Sequence, residues 1–446
     1  MTIKKKHYPL LLALFVAALI IGCQEQPATP TPLPPPSLPE TVSPTPLPSA
    51  TERPSLLFLP MIQPESAAVE ATTAAPSPVT TPTPLPTITP TPLPAFPQYT
   101  GVPLRRDLIG VQIHLHREDM DLLFGHLAAL NVGWVKTQLS WKLFEPRPGE
   151  YDPELLAELD HLVVAMQNNG IQLLLGLAKA PDWSRTTTEE DGPPADPAHF
   201  EAFASFIAGR YRGQVAAYEL WNETNLQREW QGAPLSGTAF VELLAAGAAG
   251  IRAADPQAVI ISGAPAPTGI NDGVTAVDDR LYLQQMVAAG LGRVVDGVGI
   301  HPYGWANPPE ATVAQPDPAV PSHNNHPSFF FLDTIMDYRA ILDEAGLAHL
   351  PLWTTEFGWG SFDQFGQQPP AEAAFMTAVD EWQQAVYTLR ALEMGQEMAW
   401  MGPMILWNLN FAPTLGSDFS ESGYSMLRPD GSARPVYHSL AAALNP

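Results

Sequence analysis

Cysteine is almost absent. The 446 residues hold one, Cys23, so no intrachain disulfide can form. Basic side chains are scarce too: 22 Lys and Arg stand against 46 Asp and Glu, a formal charge of −24. So acidic a surface repels phosphate backbones, which excludes nucleic acid as a main partner. The apolar run near the start, Tyr8 to Gly22, has only 15 residues. That is short of the roughly 20 a membrane-spanning helix needs, and a multi-span membrane protein is excluded. Collagen and coiled-coil patterns are missing. No Gly-x-Gly-x-x-Gly or Gly-x4-Gly-Lys-Ser/Thr loop follows any candidate strand, which weighs against nucleotide binding.

Proline, by contrast, is abundant and unevenly placed. Of 50 prolines, 22 lie between Gln24 and Gln98, where Pro-Thr-Pro-Leu-Pro recurs four times. Such a stretch favours extended polyproline II and lacks the amide donors that helices and sheets require. Residues 24–98 are therefore expected to be a disordered Pro/Thr-rich linker. Before it, Lys4, Lys5 and Lys6 precede the apolar run, the layout of a secretory signal. The run ends Ile20-Ile21-Gly22-Cys23, which resembles a bacterial lipoprotein box. That resemblance implies that residues 1–23 are a signal peptide ending at a lipidated Cys23. The protein is then expected in the cell envelope, held by its lipid to the outer face of the cell membrane or to an outer membrane. The lipid anchor is its only expected membrane contact, and a monomer is expected.

Without the first 98 residues, 348 remain, enough for one large domain. From Leu108 onward, short apolar runs alternate with longer amphipathic stretches. Candidate strands begin at Leu108, Val132, Ile171, Val215, Ala258, Val295, Pro351 and Met401. They are unalternating, as strands buried on both faces should be. Helices are predicted over 153–168, 197–211, 237–253, 331–345 and 372–394. Asp152-Pro153 and Asp196-Pro197 each set a capping carboxylate before a proline at the first helical position. Eight buried strands separated by helices predict an α/β fold, a (β/α)8 TIM barrel spanning 99–446.

In such a barrel the chemistry lies at the C-terminal strand ends. The fourth strand ends Tyr218-Glu219-Leu220-Trp221-Asn222-Glu223, and the seventh ends Trp353-Thr354-Thr355-Glu356-Phe357-Gly358. Three strands apart, Glu223 and Glu356 can face each other across the mouth. Two opposed carboxylates suit cleavage of a glycosidic bond, one donating a proton to the leaving oxygen and the other attacking the anomeric carbon. Glu219 lies deeper and reads as a structural carboxylate.

These residues carry a resemblance. Trp221-Asn222-Glu223-Thr224-Asn225 is similar to the Asn-Glu motif of clan A glycoside hydrolases, particularly families 5 and 39. Thr355-Glu356-Phe357-Gly358 resembles their seventh-strand nucleophile motif, and 140–152 resembles their second-strand loop. The resemblance implies a retaining glycoside hydrolase acting on β-linked carbohydrate, with Glu223 the acid/base and Glu356 the nucleophile. It implies that Asn222 binds the sugar's 2-hydroxyl and that His301 or Tyr303, after the sixth strand, contacts the nucleophile. Lys136 departs from the arginine that some members keep on the second strand.

Trp407, at the end of the eighth strand, is a candidate sugar platform. His114, Trp141 and Trp183, at the ends of the first three strands, are further substrate-binding candidates. Trp230, Trp305, Trp359 and Phe365 are candidates for outer subsites or a rim shield. The His323 to His326 loop is read as merely polar, and the chemistry calls for neither metal nor cofactor. Two other readings use the same barrel: a non-catalytic carbohydrate-binding surface protein, and a transglycosylase.

Overall fold

The computed structural model describes residues 94–115 and 119–445. The signal, Cys23 and almost all of the linker lie outside these residues. Eight parallel strands close into a barrel: β1 (Ile109–Gln112), β2 (Trp134–Ser140), β3 (Gln172–Ala178), β4 (Ala217–Leu220), β5 (Val259–Ser262), β6 (Gly297–Ile300), β7 (Leu352–Phe357) and β8 (Met401–Leu406). Each pairs with the next, and β8 closes on β1 through Gly110 opposite Ile405. The fold is the (β/α)8 TIM barrel that the run of buried strands predicts.

One long helix follows each strand: α1 (Met120–Leu130), α2 (Pro153–Asn168), α3 (Pro197–Arg210), α4 (Gly237–Ala254), α5 (Asp279–Ala288), α6 (Phe331–Glu344), α7 (Glu381–Glu397) and α8 (Pro435–Leu444). The caps work as the sequence suggests: Asp152 accepts from the amides of Glu154 and Leu155, and Asp196 from that of Ala198. The helix expected over 372–394 is in fact two. A 3₁₀ segment, Ala371–Ala378, ends first, and a capping box between Asp380 and Gln383 then starts α7. Helices α1, α5 and α8 were not anticipated. Among the described residues α4 is the one helix long and apolar enough to cross a membrane; it is half buried and packs on α3.

The barrel interior has two layers of opposite chemistry. Below, Leu174, Ala217, Ile261, Trp353 and Ile405 pack together, with Trp134 and Val259 against them. The indole of Trp353 fills this layer because Gly297 and Gly402 leave it room; a Cβ on either would come within 2.8 Å of its ring. Above, the same strands turn polar: Gln112, Lys136, Glu219 and Thr355 are all buried. The other strand face packs on the helices, as Tyr218, Leu220 and Phe357 show. The chain meets the barrel from Phe96, which stacks on His438, and Pro97, whose carbonyl accepts from Ser439.

Candidate active site

Neither carboxylate reaches the mouth along a regular strand, although Glu223 has the inward parity and Glu356 does not. On β4, Ala217 packs in the lower layer, and two residues further on Glu219 meets Lys136 inside the barrel. Strict alternation then points Trp221 inward as well. Instead Trp221 takes a left-handed backbone (φ 74°), and its ring packs outward on Phe200 and Trp230. Glu223, also left-handed at φ 46°, is turned back over the barrel. Such conformations are costly for non-glycine residues and concentrate at functional sites. On β7 the inward residue is Trp353, so alternation would send Glu356 outward. An irregularity in the β7–β8 register between Thr354 and Phe357 shifts the phase. Glu356 then enters the mouth while Phe357 packs outward on Phe331.

The two carboxylates meet around His301, at the end of β6. Its Nδ1 lies 3.2 Å from Glu223 Oε1 and 3.8 Å from Glu356 Oε2. One oxygen of each glutamate and a ring nitrogen of His301 all lie within 4.8 Å of one another. Tyr303 donates its hydroxyl to Glu356 Oε2 at 3.0 Å. The other oxygen, Oε1, accepts from Lys136 Nζ at 3.1 Å and, with the Gln112 amide oriented to satisfy its neighbours, from the Gln112 NH2 group at 3.2 Å. Gln112 in turn accepts from Trp407 Nε1 at 3.0 Å. Lys136 is fully buried and bridges Glu356 to Glu219, 2.7 Å away. On the far side, Arg228 donates to Glu223 Oε2 at 3.0 Å.

Burial pushes the Glu223 carboxyl up, but the His301 hydrogen bond and the Arg228 charge outweigh it and leave it below its ordinary value. Burial opposes charge on His301 and Lys136, yet the surrounding carboxylates raise both. Tyr303 is driven well above its usual range, first by burial and then by Glu356, so it stays a donor. The His301 nitrogen and the glutamate oxygens are spaced as metal ligands are. Each glutamate, however, already has a cation beside it, and a divalent ion would sit against Lys136 and Arg228.

The other predicted residues divide. Asn222 lines the cavity, and its Oδ1 is buried without a protein partner. Trp407 lines it too, wedged edge-on against Tyr303 and Tyr424. His114 borders it, and burial lowers its pKa to about 4, so it is neutral at pH 7. Trp141 does not belong there. It is fully buried, donates to Glu145 at 2.7 Å and stacks on Phe203, so it is a core residue. Trp183 is also away from the cavity, its indole tying the third-strand loop to the Glu145 carbonyl. Trp230, Trp305 and Trp359 are buried in aromatic clusters and offer no rim, and Phe365 lies under Arg434. His323 stacks on Trp305.

Three participants were missed: Gln112, Lys136 and Arg228. Lys136 did carry a signal, since a lysine within a strand buried on both faces needs counter-charges from inside the fold. Arg228 carried none, being simply a polar loop residue five positions after Glu223.

A closed (β/α)8 barrel with paired glutamates at the ends of strands four and seven defines a clan A glycoside hydrolase. Residues 101–391 match the family model Cellulase (glycosyl hydrolase family 5), and the chain belongs to that family. None of the curated proteins matches it. Its fold is similar to a family 39 glycoside hydrolase from Bacteroides cellulosilyticus WH2 at 21% identity and TM-score 0.58. That alignment covers 76% of this chain and 64% of the other, so the chain spans less than two thirds of that relative's length. A glucosidase from Croceicoccus marinus aligns at 16% identity and TM-score 0.54, covering 76% and 67%. A family 5, subfamily 18 structure from Bifidobacterium longum subsp. infantis aligns at 13% and 0.55, covering 76% and 78%.

Proposed function

We propose that the protein is a retaining β-glycosidase working by double displacement, with Glu356 as nucleophile and Glu223 as acid/base. One observation carries this reading: the oxygens of the two glutamates approach within 4.8 Å. Retaining enzymes hold their carboxyl groups about 5–5.5 Å apart, whereas inverting ones need roughly 6.5–9.5 Å to admit a water. Lys136, Gln112 and Tyr303 all donate to Glu356. They hold its two oxygens in place for attack on the anomeric carbon. Glu223 first gives its proton to the leaving oxygen. A bound sugar expels water and deepens the burial that favours the protonated acid. Once Glu356 is esterified its charge is gone, and Arg228 and His301 favour Glu223 as the carboxylate that activates water. Asn222 Oδ1, buried and without a protein partner, suits a sugar hydroxyl.

Cys23 and the Pro/Thr-rich linker fit a barrel held at the cell envelope on a tether. Membrane partition of a Cys23→Ala protein as tight as the wild type's would remove that part of the reading. The chemistry is tested by following the anomeric proton of the first product released from an aryl β-glycoside. A β product is expected; an α product overturns the double displacement.

A further inference from the structure

The cavity over Glu223 and Glu356 does not end at them. It continues over the ends of β1, β2 and β8, where its wall is Leu115, Leu143, Phe144, Leu155, Phe411 and Leu415. These come from four separate segments: the loop after β1, a short helix Trp141–Phe144 after β2, the first turn of α2, and a short helix Phe411–Leu415 after β8. Leu143 is 41% exposed at the mouth, and the other exposed large apolar side chains among the described residues lie outside this cavity. Four leucines converging from different segments on one reactive centre is not the random scatter of surface leucines.

Ser140, Glu158 and Thr414 line the same flank, and Thr414 already gives its hydroxyl to the Asn410 carbonyl, so polar groups are few here for another sugar unit. A pyranose presents hydroxyls all round its edge, and each one buried without a partner costs free energy. Branched aliphatic side chains supply neither that partner nor the flat face on which a ring can rest. The phenyl rings do not supply the face either: Phe144 and Phe411 are only 6% and 5% exposed, and the latter is engaged by His114 and Trp407. What the wall does fit is a run of methylenes, for which every buried carbon is favourable and no direction is required.

We propose that this flank binds an apolar chain carried by the sugar substrate, so that the preferred substrates are alkyl glycosides or acylated glycosides rather than long polysaccharide chains. The inference rests on the glycosidase reading above. The chain is attached either to the anomeric oxygen or to a ring hydroxyl, and the two sources are separable.

The test uses the full chain and two series, both below their micellar concentrations. One compares methyl and octyl β-glycosides of glucose, galactose, mannose and xylose. The other compares 4-nitrophenyl β-glycosides with and without an octanoyl ester on a ring hydroxyl. Methanol and octanol are similar leaving groups, so a difference in kcat/KM reports the chain and not the chemistry. The eight-carbon chain is expected to raise kcat/KM by about tenfold or more in one series. A gain in the alkyl series places the chain on the leaving group, and one in the acyl series places it on the retained sugar. Leu143→Asp and Leu415→Asp should each bring the ratio of chained to unchained substrate near one, while Leu143→Met should keep it. Ratios near one for the wild type in both series overturn the proposal, as does a gain that survives both aspartates. Failure to turn over any glycoside, aryl ones included, sinks the glycosidase reading and this inference together.

Discussion

The lower and upper halves of the barrel interior are built by the same strands and obey different rules. In the lower half Leu174, Ile261, Trp353 and Ile405 fill space with apolar surface. In the upper half the charged groups depend on one another. Lys136 would be a buried unpaired charge without Glu219 and Glu356, and Glu356 draws on Lys136, Gln112 and Tyr303 at once. Packing tolerates approximate fit if volume is kept, whereas a buried polar network is costly when half satisfied. The difference separates two tasks: the lower layer holds the fold together, and the upper layer is held in place by it. Substitutions in the two halves should therefore fail in different ways.

The sharpest contrast is Glu356→Gln. If Glu356 is the nucleophile proposed above, this variant should lose on the order of 10⁴-fold or more in kcat on every glycoside, while its thermal midpoint stays close to the wild type's. A variant that keeps normal turnover would falsify the assignment of Glu356. Trp353→Ala in the lower half should do the reverse, costing about 3–5 kcal/mol in urea unfolding by opening a cavity. Turnover per folded molecule should stay within a few-fold, and a loss of catalysis out of proportion to stability would break the division into halves.

Lys136→Met joins the two behaviours. Removing the cation strands two buried carboxylates, which should cost roughly 3–5 kcal/mol at neutral pH. That penalty exists only while the stranded carboxylates are charged, so the deficit should be largest near neutral pH and shrink in acid, a trend readable from unfolding midpoints across pH. A deficit independent of pH would mean that Lys136 acts by packing alone.

Arg228→Met should move the alkaline limb of the kcat/KM profile to higher pH. With that charge gone, the opposing burial is less compensated and Glu223 keeps its proton longer. An unmoved limb would detach Arg228 from the acid. The smallest effect concerns stability. His301 is raised in the fold, so its contribution is complete below its unfolded value near 6.5 and is lost as pH climbs through the folded value. Glu223 is lowered, so its share is present above about 4.5 and fades as pH falls through the folded value. His301→Gln should flatten the alkaline decline of the unfolding free energy and also shrink the acid-side loss, because the His301 hydrogen bond is part of what lowers Glu223.

Much of this was legible in the chain. Eight buried runs and their spacing announced a barrel, and the Asp-Pro pairs marked where α2 and α3 begin, because capping and strand burial are local properties. The motifs around Glu223 and Glu356 could be read as well, since each lies within a few residues. The tryptophans could not be sorted. Trp141 and Trp407 both follow strands in similar settings, yet one stacks on Phe203 in the core and the other lines the cavity. Which face a residue presents after its strand ends depends on the loop, not on the strand.

The sequence by itself determined the class of fold and the two carboxylates, for periodicity and short motifs survive without knowledge of neighbours. Only the tertiary structure decided how those carboxylates are used. The register shift in β7 that turns Glu356 inward and the left-handed turn at Trp221 that frees Glu223 are set by packing against β8 and α3. The partners of the glutamates come from β1, β2 and β6, separated by up to 244 residues in the chain from Gln112 to Glu356. Charges that distant interact only when closure of the barrel brings them into one dry space, where their attraction is strong.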